Sequence, residues 1–447
     1  MQAHLFAAAR RLASALTHRD FRLLWFGALG STIGTWMQKV AQAWLIVTLT
    51  GSASAFFLGL DSLMGELPIL LLTLIGGVIA DRKDRRQLLL MSQYTQMTAA
   101  FVLATLVYFD VIKVWHVLTL SALTGIAQAF GGPAYQSLIP QLVSTENLPN
   151  AIALNSIQFN LARIIGPLIA GAALAAFGMV ACFGLNGVSF LFVIAALFAL
   201  QVKHIPPAGR RPILDEMKGG LNYVKAEPTI IALTVLGFVA AFLGVPLLTL
   251  LPVIVKDVFQ QDVGLYTRLM AFSGAGAVLG AMTVAWRGKS RAMGRSLLGG
   301  VFAFGCVMIA FSFSRQLWLS QLLLFLGGGL LVSTFSMTTS LVRSSRPTRC
   351  AAASQASTWS RSAAPRRSAT SSATSPRRFR CRPLIALNGG LLIVAAALFW
   401  FGGRGVRRNL AATGHVTVCR PGAWRCLVRR PAPRRIYPRE TPDRNTA

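Results

Sequence analysis

"GGVIADRKDRR" fills residues 76–86 and changes character halfway. Its first five residues close an apolar run that begins near residue 55, its next six hold four basic and two acidic side chains, and a second apolar run starts at residue 87. Each run is longer than the ~20 residues a helix needs to cross a hydrocarbon core. The pattern therefore predicts a hairpin of two membrane-spanning helices joined by a short charged turn. Composition agrees: 447 residues are 54% hydrophobic and 13% charged, with a mean hydropathy of +0.57, whereas soluble domains are about one quarter charged.

Working outward, the same length criterion divides the chain up to residue 342 into ten spans, near 23–48, 55–80, 87–109, 114–136, 148–178, 181–201, 229–255, 264–286, 296–314 and 317–342. An eleventh apolar run, "LIALNGGLLIVAAALFWFGG", covers 384–403. Arg19 and Arg22, the 82–86 turn, the basic residues of 203–225 and those of 287–295 all fall on one side of this zigzag. Lys and Arg mark cytoplasmic loops, so the N-terminus is expected in the cytoplasm. The first apolar run is too long for a signal-peptide core and is expected to be retained. Six spans (1–201), a basic linker (202–228) and a second group of spans (229–403) make a two-bundle, all-α transporter layout.

The net charge of +30 suggests a nucleic-acid binder, but its location argues otherwise. From residue 343 onward there are 21 Arg, no Lys and two acids. This basic tail lacks interleaved aromatics and a fold of its own, and the stretch 404–447 is expected to be disordered. Six cysteines at no metal or disulfide spacing predict no metal site and no redox chemistry. The chain also has no nucleotide-binding loop, and no nucleophile with a partner among its five His. It is read as a non-enzyme without a cofactor.

Charged groups inside spans are costly and mark transport paths by default. Here they are Lys39 in the first span, Asp61 and Glu66 in the second, and Arg163 in the fifth. Glu66 lies nearer the middle of its span than Asp61 and is favoured as the proton carrier, with Lys39 able to pair with either acid. A set of structural ion pairs facing the bundle interior is the alternative.

The 76–86 turn resembles the signature loop of the major facilitator superfamily, with Gly77, Asp81, Arg82, Arg85 and Arg86 at the matching positions and Asp84 where the family usually has Gly. The resemblance implies a conformational latch; a membrane-anchoring basic loop is the alternative. "LARIIGPLIAG" (161–171) resembles the Gly-Pro motif of drug/proton antiporters, through Gly166, Pro167 and Gly171. Such residues suit a hinge, or simple tight packing. "AFGGPAYQSLIPQLVSTENLPNAIALNS" (129–156) and "FRLLWFGALGSTIGTWMQKVAQAWLI" (21–46) resemble the subgroup of enterobactin exporters and macrolide-efflux permeases. That likeness, over most of 19–342, implies a monomeric, multi-pass protein of the bacterial inner membrane. It would export a small-molecule drug or siderophore at the expense of the proton gradient, with the lipid bilayer and no nucleic acid as its surroundings.

One stretch departs from the resemblance. After the tenth span, family members carry a Pro-Asp-x-Leu-Arg-Gly-Arg-Val loop and another helix, whereas this chain reads "PTRCAAAS" at 347–354 and stays polar and Arg-rich to residue 383. Permitted codons for 347–354, read from one base earlier, spell PDALRGRV. Continued over 355–379, they allow the apolar run ASIYMVAFRGAAPLGDLVGNLAAAF. The composition thus points to a compensated frameshift between about 345 and 383, with the eleventh helix of the family lost or scrambled. A genuine Arg- and Ser-rich loop, and a degraded, non-transporting membrane protein, are the alternatives.

Overall fold

The computed structural model describes residues 14–201, 228–287, 293–344 and 381–402. Most of the linker (202–227), most of the polar stretch (345–380) and the tail from 403 lie outside the described residues. The helices are α1 (Arg19–Thr50), α2 (Ser54–Arg82), α3 (Arg85–Tyr108), α4 (Val114–Leu142), α5 (Leu148–Ala199), α6 (Pro228–Gly244), α7 (Pro246–Thr249), α8 (Leu251–Asp257), α9 (Val263–Arg287), α10 (Met293–Phe313), α11 (Leu317–Ser344) and α12 (Cys381–Gly402).

The expected spans are present, with three instructive differences. α5 breaks at Gly178, whose φ of 76° and ψ of −171° lie in a region open essentially to glycine. The break makes two limbs that correspond to the fifth and sixth expected spans. The expected span 229–255 is split into α6, α7 and α8, since Pro246 and Pro252 each lack the N–H that would continue a helix. α4 runs past residue 136, through Pro133 and Pro140, to Leu142. Hydropathy measures the apolar length of a helix, and a helix can extend beyond the hydrocarbon it crosses.

Among the described residues, eight helical stretches are long and apolar enough to cross a membrane; one joins α1 to α2 and another is the two-limbed α5. Their outward surface is apolar, with Phe26, Leu71, Met91, Phe192, Met282 and Leu398 more than half exposed. A soluble protein does not display such a belt, whereas lipid requires it. The chain is a multi-pass membrane protein.

The two ends of the bundle differ. At the end holding the 82–85 turn, Arg side chains satisfy helix-terminal carbonyls. Arg85 donates to Ala80 O and Ser137 O, Arg86 to Phe198 O and Arg19 to Ala199 O. Cations at helix C-termini both fill orphan acceptors and oppose the helix dipole. The opposite end, holding the 51–53 turn, is ringed by exposed Phe56, Tyr108, Phe109, Trp115, Phe177, Phe313 and Trp318. Of these, Tyr108, Trp115 and Trp318 carry the amphipathic rings that favour the lipid–water boundary.

In the first bundle, α1 is clamped against both limbs of α5 and α2 lies against α4. The α2–α4 contact is backbone on backbone: a Cβ at Gly125 would strike Gly65 O, and one at Gly76 would strike Ala129 O. In the second bundle, α9 packs on α11 and α10 on α12. Gly305 meets Gly389 there, and Arg382 donates to Ser314 O at 2.7 Å. α12 therefore starts beside the end of α10, next to where α11 also starts. Ser344, at the far end of α11, and Cys381 consequently lie at opposite ends of the bundle.

One core cluster (Phe21, Leu24, Trp25, Ala80, Leu89, Leu138, Leu154 and Leu197 among others) belongs wholly to the first bundle, at its basic end. The other joins both bundles, and its first-bundle members, such as Val40, Leu45, Ile46, Leu103, Val117, Ala173 and Phe183, lie toward the 51–53 end.

Candidate functional site

α1 carries Trp36, Lys39 and Gln42 at intervals of three, so successive side chains follow one face of the helix. Gln42 Nε2 donates to both carboxylate oxygens of Asp61 at 3.0 Å and to Ser121 Oγ at 2.9 Å, and Ser121 Oγ donates to Asp61 at 2.5 Å. Asp61 is thus held by α1 and α4 while sitting on α2. Charge alone marks the acid in the sequence but neither of its partners, because Gln42 and Ser121 are neutral.

Glu66, the favoured proton carrier, is exposed and makes no hydrogen bond or ion pair with a described residue. Five residues turn an α-helix by about 140° beyond a full circle, so only one of the two acids reaches the Gln42 and Ser121 face. The expected pairing of Lys39 with either acid is also corrected. Lys39 makes no ion pair with Asp61 or Glu66; its ammonium lies over the Trp36 ring, 5.2 Å from the centroid. Long helical side chains lean back toward the preceding turn, which takes Lys39 onto Trp36. Its charge still acts on Asp61 at longer range.

Arg163, on the first limb of α5, is 8% exposed. Its guanidinium carbon lies 5.6 Å from the same Trp36 ring, and Phe159 meets that ring edge-on at 5.9 Å. It has no ion pair and no side-chain hydrogen bond with a described residue.

The Gly-Pro motif lies between helices on two sides. A Cβ at Gly166 would strike Trp36 Cβ and Ile33 O of α1, and one at Gly171 would meet Thr267 Oγ1 of α9 at 2.7 Å. Gly171 is thus where the first bundle touches the second. Nearby contacts between the bundles are Gly274 of α9 against Arg163 O, Trp44 stacked on Tyr266 at 6.3 Å, and Lys256 Nζ donating to Val47 O at 3.2 Å. Pro167 is buried.

In the 76–86 turn, Asp84, the departure from the family pattern, is the N-cap of α3, and its carboxylate accepts from Arg86 N at 2.8 Å. A Cβ at Gly77 meets nothing within 4 Å, whereas Gly76 is the residue that packing requires to be small. Arg82 is exposed at the end of α2. Asp81 lies in the last turn of α2, and its side chain is outside the described residues. The contacts given above for Arg85 and Arg86 all lie within the first bundle.

Comparison with known proteins follows the same lines. A sequence model of the family described as "Transmembrane secretion effector" matches residues 12–357. The chain is 25% identical to the staphyloferrin A transporter of Staphylococcus aureus over 56% of its own length and 63% of the relative's. It is 25% identical to macrolide efflux protein A of Streptococcus pyogenes over 54% and 60%, and 26% identical to the enterobactin exporter EntS of Shigella boydii over 60% and 63%. It thus spans just under two thirds of the length of these relatives. In fold it is similar to a bacterial homologue of the human lysosomal transporter Spinster in an inward-facing, unoccupied conformation. The TM-score is 0.60 at 14% identity, over 88% of this chain and 96% of that one. The human organic anion transporter MFSD10 gives a TM-score of 0.52 at 13% identity over 88% and 97%. With the family pattern running through both bundles of a shared fold, the chain belongs to the transmembrane secretion effector family of the major facilitator superfamily.

Proposed function

We propose that this chain is a proton-coupled secondary exporter of small amphiphilic molecules, of the drug or siderophore class, working by alternating access in a bacterial inner membrane. The observation that carries the reading is the one-ended contact between bundles, with a shared core toward the 51–53 end and a separate first-bundle core at the basic end. Rocking two bundles about a midplane site requires a contact that is closed at one end at a time. In this reading the Arg-rich end is cytoplasmic, as the distribution of basic residues favours, and the N-terminus lies inside. The protein then stands open to the cytoplasm.

Asp61 is the proton-carrying group in this reading. A carboxylate held by two neutral donors on two other helices can exchange its proton with a change in how those helices sit. The names of the relatives supply the substrate class, and their being transporters agrees with a protein that is not an enzyme.

The test is dye and macrolide efflux in everted vesicles, driven by an imposed proton gradient. Wild type should transport and stop when the gradient is collapsed. Asp61→Asn should lose about tenfold or more of the rate, roughly 1.4 kcal/mol or more, with Glu66→Gln within about twofold. Gradient-independent transport, or an unimpaired Asp61→Asn, would overturn the coupling.

A further inference from the structure

Arg163 poses a problem that the export reading leaves open. A guanidinium taken out of water normally brings a carboxylate with it, because the desolvation cost is several kcal/mol. Here no described carboxylate lies within ion-pair distance. What surrounds Arg163 is a second cation and an aromatic ring, as Lys39 and Arg163 both lie within 6 Å of the Trp36 centroid. An indole face attracts a cation, but two cations around one ring repel each other and are only partly compensated. Lys39 acts on Asp61 only at longer range, and the Asp61 oxygens are already committed to Gln42 and Ser121.

The surroundings hold this arrangement in place. Gly166 brings α5 against the backbone of α1 at Ile33 and Trp36, and Gly274 brings α9 of the second bundle against Arg163 O. The backbone that carries the charge is thus fixed on both sides. Arg163 nonetheless retains some exposure, and none of its nitrogens is a sealed-off donor lacking a partner. A donor-rich planar cation, an ammonium beside it and an aromatic wall form a receptor for a small organic anion.

We propose that Trp36, Lys39 and Arg163 form a subsite for a carboxylate or phenolate of the exported molecule, so that the preferred substrates are amphiphilic anions. The proposal rests on the export reading for its physiological meaning, but it concerns binding and is tested by binding. An anion placed here would neutralise Arg163 at the point where α5 meets α9, so its arrival and departure would be felt at the contact between the bundles.

The experiment measures binding of salicylate, of its uncharged counterpart salicylamide, and of the cation tetraphenylphosphonium to the purified full chain in lipid nanodiscs, by calorimetry. Salicylate should bind at least about tenfold more tightly than salicylamide, as expected for charge-assisted hydrogen bonds. Arg163→Gln and Lys39→Gln should each weaken salicylate by about tenfold while leaving tetraphenylphosphonium unweakened. Arg163→Lys should recover most of the loss. If Arg163→Gln fails to fold, Lys39→Gln and Arg163→Lys decide the matter. Equal affinity for salicylate and salicylamide, or wild-type salicylate affinity in the glutamine variants, would overturn the subsite. Gradient-driven export of a cationic dye with no anion binding would leave the export reading standing and remove the subsite; anion binding without gradient-driven export would do the reverse.

Discussion

The first bundle supplies six helical limbs in unbroken succession, while the second supplies five spans among the described residues, with Ser344 and Cys381 at opposite ends. The halves are otherwise built alike. Gly65 meets Gly125 in one, Gly276 meets Phe325 and Gly280 meets Gly329 in the other, each backbone on backbone. The difference is therefore local: the second bundle has the packing grammar of the first, but an Arg-rich stretch of sequence separates Ser344 from Cys381. The 36 residues 345–380 hold eight Arg, and each would cost about 2.5–3.5 kcal/mol at the centre of a spanning helix.

The sharpest way to break this comparison is to restore the shifted reading frame over 347–379. If the polar stretch displaces a span, the apolar version should raise the amount of folded protein recovered from membranes several-fold. A reporter fused after residue 402 should then sit on the same side as one placed in the 202–227 linker. Equal yields of the two versions would make the Arg-rich stretch a genuine part of this protein.

A smaller effect is expected from placing one side chain into matching contacts in the two halves. Gly125→Val and Gly276→Val both force a branched side chain against a backbone carbonyl, an overpacking that costs about 1–3 kcal/mol. The thermal midpoint in detergent should fall further for Gly276→Val, because the five-span half has fewer neighbours to redistribute the strain. A larger fall for Gly125→Val would reverse the ranking of the two bundles.

The smallest effect belongs to the 82–85 turn. Asp84→Ala removes an N-cap and should lower stability by about 1 kcal/mol, while Asp84→Gly, the residue usual in the family, should cost only a few tenths. Thermal unfolding of the two variants side by side measures the difference.

The spans and the gathering of basic residues at one end of the bundle were legible in the sequence because both follow from transfer energies that each residue carries with it. Partners were not. Nothing in the order of residues joins Gln42 and Ser121 to Asp61, since they come from three different helices, and Glu66 looked the better acid because position along a span is readable and position around it is not. Lys39 likewise drew attention for its charge, while its neighbour Trp36, whose ring serves two cations, looked like any apolar residue of α1. The turn shows the same limit: Gly77 fits the family pattern, yet Gly76 is the residue whose smallness the packing requires.

The paired contacts of Gly65 with Gly125 and of Gly76 with Ala129 have a mechanical consequence. Two rods that touch main chain to main chain at two points along their length cannot slip or roll over one another, since no flexible side chain lies between them to take up the travel. α2 and α4 thus act as a stiff strut that carries Asp61 and Ser121 together. Compliance belongs where side chains mediate the contact, at Thr267 against Gly171 and at Tyr266 against Trp44, and those are the places where a rotamer change could let one bundle tilt on the other.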